Sequence, residues 1–131
     1  MKAFEPLPDE TERIAREIVD AAFRVHTVMG PGLLEAVYEA CMVHELHRRG
    51  LRVQTQVSVP ISYEGVRLAS DLQLDMLVEE RVIVEVKAVE KMNPVFQAQL
   101  LSYLRLRGLR LGLLINFTVP FIKDGIKRVI L

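Results

Sequence analysis

Two neighbouring segments of this chain, 70–78 and 82–89, alternate apolar and polar side chains, and the way the two alternations must meet constrains the fold more than any other feature. In the first, Leu72, Leu74, Met76 and Val78 share one face, while Asp71, Gln73, Asp75 and Leu77 share the other. In the second, Val82, Val84 and Val86 oppose Ile83, Glu85 and Lys87. An antiparallel pairing that joins both apolar stripes must set Val78 against Val82, Met76 against Val84 and Leu74 against Val86. Asp75 then faces Glu85, with Lys87 two residues further along the same face. This register requires the three-residue connection Glu79-Glu80-Arg81, because a two-residue turn would put each carboxylate against a valine.

The rest of the chain supplies a frame for this hairpin. Ile14, Ile18, Ala22, Val25 and Met29 recur at spacings of three and four, which predicts an amphipathic helix over about 9–28 that Gly30-Pro31-Gly32 breaks. A second helical pattern runs over 32–49 through Leu33, Leu34, Val37, Cys41 and Leu46, with Gly50 as its left-handed terminator. From Arg52 to Tyr63 the period becomes two, and Pro60, which cannot donate to a ladder, places that strand at an edge or a bulge. Glu64-Gly65 turns it into the hairpin described above. Asn93-Pro94 caps a third helix that ends before Gly108, Leu109–Phe117 reads as a buried central strand, and Lys123-Asp124-Gly125 leads into a last strand over 126–130. The expected order is α-α-β-β-β-α-β-β, an α/β (α+β) fold with a mixed central sheet flanked by helices. The expectation is a single domain over 1–131, with 1–8 a flexible N-terminal tail.

A chain of 131 residues, half of them apolar, can bury about two thirds of its surface and needs no covalent staples. Its one cysteine, Cys41, forms no intramolecular disulfide and supports no cysteine-based zinc site, which fits a cytoplasmic location. MKAFEPLPDE lacks the apolar core of a secretory leader, and no apolar run reaches the ~18 residues of a membrane span, so no membrane partner is expected. The 17 basic and 17 acidic side chains cancel, but unevenly: 1–50 carries 6 against 9, 51–85 carries 3 against 6, and 86–131 carries 8 against 2. The basic C-terminal third can give one face a positive field and so keeps a nucleic-acid partner open, beside the plainer reading of a solvated surface.

Asp75 and Glu85 on adjacent strands repel unless a cation, a raised pKa or a nearby lysine offsets the charge. Hard divalent ions such as Mg²⁺ or Mn²⁺ take such oxygen ligands while keeping waters, one of which can attack a phosphodiester, and Lys87 is placed to orient that water or stabilise developing charge. The plainer alternative is a ladder of charges facing solvent. His44 and His47 share a helical face with no further ligand to complete a transition-metal set, His26 reads as a surface or packing residue, and Cys41 reads as core. No Gly-rich phosphate loop or Ser-His-Asp pattern competes.

Asp75, then Glu85-Val86-Lys87 as E-x-K, then Gln99 and Tyr103 as Q-x-x-x-Y together resemble the PD-(D/E)XK nuclease superfamily. Gly32-Leu-Leu-Glu35-Ala-Val-Tyr38 narrows the resemblance to the GxxExxY protein family, and the similarity extends from about residue 10 to Leu131. Leu74 stands where the superfamily's nominal motif has proline. The resemblance implies a restriction-endonuclease-like fold and a Mg²⁺ (or Mn²⁺) site, with Asp75 and Glu85 as principal ligands, the backbone carbonyl of Val86 as another, and Glu35 adding a carboxylate from the second helix. It makes Lys87 the catalytic lysine and sets Gln99 and Tyr103, one helical turn apart, at the border of the site. Gly32, Glu35 and Tyr38 would drift about 60° per step in a slanted stripe on that helix, with Gly32 allowing close packing and Glu35 favoured by the helix dipole. The function implied is metal-dependent hydrolysis of nucleic acid, most directly DNA. The alternative is a non-catalytic nuclease-fold binding module or subunit, and a homodimer or partner protein would compensate for the absence of an appended specificity domain.

Overall fold

The computed structural model describes residues 5–131. Helices α1 (Asp9–Met29) and α2 (Glu35–Arg48) precede strands β1 (Val53–Tyr63), β2 (Val66–Val78) and β3 (Val82–Lys87). Helix α3 (Pro94–Arg107), strand β4 (Leu111–Asn116), a 3₁₀ turn (Ile122–Gly125) and strand β5 (Ile126–Ile130) complete the chain, in the expected order. The five strands form one sheet in the order β1-β2-β3-β4-β5. Only β3 and β4 run parallel, and α3 supplies the crossover that parallel neighbours require.

Helices cover both faces of the sheet. Ile14 and Ile18 of α1 and Tyr38, Met42 and Leu46 of α2 pack on Met76, Val78, Val82, Val84 and Val86. On the opposite face, Leu100 and Leu104 of α3 pack on Leu77, Ile83, Leu114 and Val129. Asn93 Oδ1 accepts the Val95 N–H to open α3, with Pro94 at the first helical position. The helix stops at Gly108, whose φ of 72° is left-handed. Gly112 lets α3 lie close to β4: a Cβ there would stand 2.7 Å from Leu100 Cδ1, inside van der Waals contact.

The expected register of β2 against β3 is observed as Val78↔Val82, Leu77↔Ile83 and Met76↔Val84, closed by Glu79-Glu80-Arg81. Strand β1 is an edge strand, and its register shifts between Pro60 and Ser62, as the proline predicts.

Three expectations need correction. The third pair, Leu74 against Val86, does not form, and the stripe from Leu72 to Val78 is divided: Met76 and Val78 face α1 and α2, whereas Leu72 and Leu74 join the cluster beneath α3. The physical reason is a break in the β1–β2 pairing at Gln56 and Asp75, where Gln56 has a left-handed φ of 50°. Helix α2 begins at Glu35, so Gly32 lies in the preceding loop, where it has open space around its Cβ position and a φ of 100°. Its role is conformational freedom rather than close packing. The strand expected over 82–89 ends at Lys87, because Asn116 captures the next backbone groups with its side chain: Val89 N–H donates to Asn116 Oδ1, and Asn116 Nδ2 donates to the Val89 carbonyl. Of the tail expected over 1–8, residues 1–4 lie outside the described residues. At 5–8 the chain has no regular secondary structure, Leu7 packs against the core, and Arg110 donates to the carbonyls of Glu5 and Pro6.

Candidate active site

Beyond Met76 and Val84 strands β2 and β3 part, and side chains replace the ladder. The Asp75 N–H donates to Glu85 Oε2 at 2.9 Å, and the Val86 N–H donates to Asp75 Oδ2 at 3.0 Å. Each carboxylate therefore holds the opposite strand with one oxygen and keeps the other oxygen free of these bonds. Strand β3 remains paired with β4 through Lys87↔Asn116, so the fork opens beside a backbone fixed from its other edge. The N–H and C=O of one strand residue point to the same side, so the Val86 carbonyl also faces the fork. The Lys87 carbonyl points the other way and accepts the Phe117 N–H at 2.9 Å.

Charge inside the fork is poorly solvated. Glu85 is only 7% exposed, and burial, reinforced by the neighbouring Asp75 charge, pushes its pKa up to about 8. Burial also raises Asp75, against the opposing effects of the Val86 N–H and the Lys87 charge. Partial desolvation raises Glu35, with Asp75 adding to the shift and Lys87 opposing it. Desolvation, together with the Glu85 and Asp75 charges, raises the Tyr103 phenol. These four acids and Lys87 thus share one electrostatic environment, although they come from α2, β2, β3 and α3.

The Lys87 ammonium lies over the Phe96 ring of α3, 4.4 Å from its centroid. Attraction to the ring face restrains the lysine from below while leaving its charge near both carboxylates. Gln99 is exposed and makes no side-chain hydrogen bond among the described residues, and Tyr103 is half-buried one turn later. Glu35, the first residue of α2, lies within reach of the Asp75 and Lys87 charges. Tyr38 has a different part: its hydroxyl donates to the Gly30 carbonyl and accepts the Leu33 N–H, while its ring stacks on Phe117 at 4.6 Å. It fastens the loop before Glu35 to the end of β4.

A divalent ion is a reasonable match to this donor set. Two carboxylates, each with one oxygen free of the bonds above, and a backbone carbonyl suit a hard cation that binds through one or two carboxylates and retains much of its hydration. Burial raises both acids, so a positive charge placed beside them would favour their ionised forms. Among the described residues no three His, Cys, Asp or Glu side chains come together closely enough to hold a metal, so Glu35 is a neighbour of the pair rather than a third member of a preformed cluster.

Phe96 and Asn116 escape sequence reasoning. Phe96 reads as one more apolar residue on a helix, and only its position across from Lys87 reveals its second use. Asn116 carries a signal, a buried polar residue ending the apolar run Leu109–Phe117; it ends β3 after Lys87 by bonding Val89 and also accepts the Thr118 N–H. The basic C-terminal third is thinner than its composition suggests. Arg107 pairs with Glu80, Arg128 with Glu12, and Arg110 binds backbone carbonyls, which leaves, besides Lys87 in the fork, Lys91, Arg105, Lys123 and Lys127 without an ion pair among the described residues.

A family model described as the PD-(D/E)XK nuclease superfamily matches residues 12–129. No curated protein and no solved structure matches the chain.

Proposed function

The chain belongs to the PD-(D/E)XK nuclease superfamily, and from that premise we propose that it hydrolyses phosphodiester bonds of DNA with the help of Mg²⁺ or Mn²⁺. The observation that carries this reading is the fork at Asp75 and Glu85, where two desolvated carboxylates each use one oxygen to hold the opposite strand, within electrostatic reach of each other and of Lys87. Asp75, Glu85 and the Val86 carbonyl would hold the ion, which when bound supplies Lewis acidity toward water and the scissile phosphate. Lys87, steadied by Phe96, orients the attacking water and stabilises charge developing on the phosphate. Tyr103 and Gln99 border the substrate from α3, and Glu35 contributes negative charge from α2, the part expected of the GxxExxY subgroup. Lys91, Arg105, Lys123 and Lys127 are available for phosphate contacts, so binding should weaken with salt. The proposed compartment is the cytoplasm, where the Cys41 thiol stays reduced.

A second reading is a non-catalytic nucleic-acid-binding module or subunit, because the same fold can serve without chemistry. Titration calorimetry of Mn²⁺ and Mg²⁺ into the wild type and Asp75→Ala, followed by incubation with single-stranded, duplex and branched DNA, separates the two. Metal binding lost in the variant, together with metal-dependent cleavage by the wild type, supports the nuclease. DNA binding with neither metal binding nor cleavage supports the module.

A further inference from the structure

Gln56 is an exposed residue in the middle of β1, and its backbone does something strands rarely do. Its φ is 50°, in the left-handed region that residues with a Cβ adopt reluctantly. Among the described residues, the other three non-glycine residues with positive φ, Glu64, Glu79 and Glu80, all sit in the tight turns that end strands. Gln56 does not. Pairing between β1 and β2 runs through Thr55↔Met76 and Val57↔Leu74, and the pair skipped between them is Gln56 and Asp75.

Both strands change face at that skipped pair. On β1, Val53 packs with the α1/α2 cluster, whereas Val57 and Val59 pack with the α3 cluster, although an unbroken strand would keep all three on one side. On β2, Met76 faces α1 and α2 while Leu74 faces α3. The hairpin therefore bends at the residue whose carboxylate leaves the ladder to meet Val86. The Gln56 side chain fastens the bend: its Nε2 donates to Glu39 Oε1 at 3.0 Å, and Glu39 lies one helical turn after Glu35 on α2.

We propose that Gln56 is a positioning residue for the candidate site, its left-handed backbone turning Asp75 out of the β1–β2 pairing toward Val86 and its side chain docking the Glu35 end of α2 against the same bend. The consequence for catalysis rests on the nuclease reading above; the geometric claim does not. Nothing in the local sequence announces it, since Val53–Tyr63 reads as one uninterrupted alternation.

The test uses three variants. Gln56→Val favours extended backbone and resists a left-handed φ, Gln56→Gly accepts the bend but loses the side-chain bond, and Gln56→Asn tolerates the bend and keeps an amide. Amide hydrogen exchange on the metal-free proteins reads the hydrogen bond from Val86 to Asp75 directly. Gln56→Val should speed exchange at Val86 at least about tenfold, with Val84 and Ile115 unchanged as controls for general loosening. Gln56→Gly and Gln56→Asn should leave Val86 near its wild-type rate, and Gly alone should lose the docking of α2, seen as faster exchange at Val37 and Tyr38. Val86 unchanged in Gln56→Val, or a uniform rise across all these amides, overturns the proposal. Mn²⁺ titration of the same variants adds an independent reading: if the wild type binds no metal, the nuclease reading fails while the exchange pattern still decides the role of Gln56.

Discussion

The hairpin of β2 and β3 has a glutamate at each end, and the protein treats the two in opposite ways. At the closed end Glu79 accepts the Arg52 N–H at 2.6 Å and its guanidinium at 3.2 Å, and these bonds hold its pKa below the usual carboxylate range. At the open end Glu85 is buried beside Asp75, with a backbone N–H and a lysine that only partly offset the loss of water. The closed end is solved as a structural problem, with a cation for the anion. The open end is left under-compensated, which is costly for folding and, on the proposed reading, is what a bound cation would offset.

The largest effect should follow from removing the open end's function. Asp75→Ala or Lys87→Ala should lower cleavage about 10³-fold while the circular dichroism spectrum stays native; full activity in both would break the comparison, because the strained end would then be idle.

Next in size is the stability stored in Glu85. Its folded pKa lies above that of an unfolded glutamate, so the folded protein binds the extra proton and loses stability as pH rises from about 4.5 to about 8. Glu85→Gln keeps an acceptor for the Asp75 N–H and removes the ionisation. The metal-free variant should be more stable than wild type at pH 8, on the order of 4 kcal/mol, with the gap closing toward pH 4.5. Calorimetric melts at the two pH values check this, and an equal gap at both would mean that Glu85 is not the group responsible.

A smaller change is expected at the lysine. Phe96→Leu keeps an apolar side chain but removes the ring face beneath Lys87, a contact worth about 0.5–1 kcal/mol, so kcat should fall about 2- to 5-fold with little change in KM. A larger loss accompanied by a lower melting temperature would instead assign Phe96 to packing.

The smallest effect belongs to the closed end. Glu79 has a lowered pKa, so its contribution is present above the unfolded value and disappears as pH falls through the folded one, the reverse of Glu85. Glu79→Gln should cost about 0.5 kcal/mol at most at pH 7, since solvent screens the pair, and less at pH 3. A difference of the same sign as Glu85→Gln would erase the contrast between the ends.

Much of this was legible before any coordinates. Alternation and helical spacing predicted the element order, and the parity of two short segments was enough to set Met76 against Val84 and carry Asp75 toward Glu85, because a one-residue slip would have set each carboxylate against a valine. Asn93-Pro94 and Gly108 bounded α3 because capping is a local interaction. The same logic failed at Leu74. Alternation assumes an unbroken strand, and at Gln56 and Asp75 the pairing breaks, with Leu72 and Leu74 packed under α3 and Gln56 bonded to Glu39 of α2, contacts that lie far from this segment in sequence or outside it. It failed again at Gly32, which the helical pattern drew into α2 although Tyr38 fastens that stretch as a loop.

The sequence by itself determined which residues could meet across the hairpin, since strand periodicity and turn length are properties of neighbouring residues. Only the tertiary structure decided that the ladder stops at Met76, that Lys87 rests on Phe96, and that Glu85 is pushed to about 8. Those outcomes depend on how much water β4, α2 and α3 remove from one fork, and desolvation is a property of the assembled elements rather than of any segment alone.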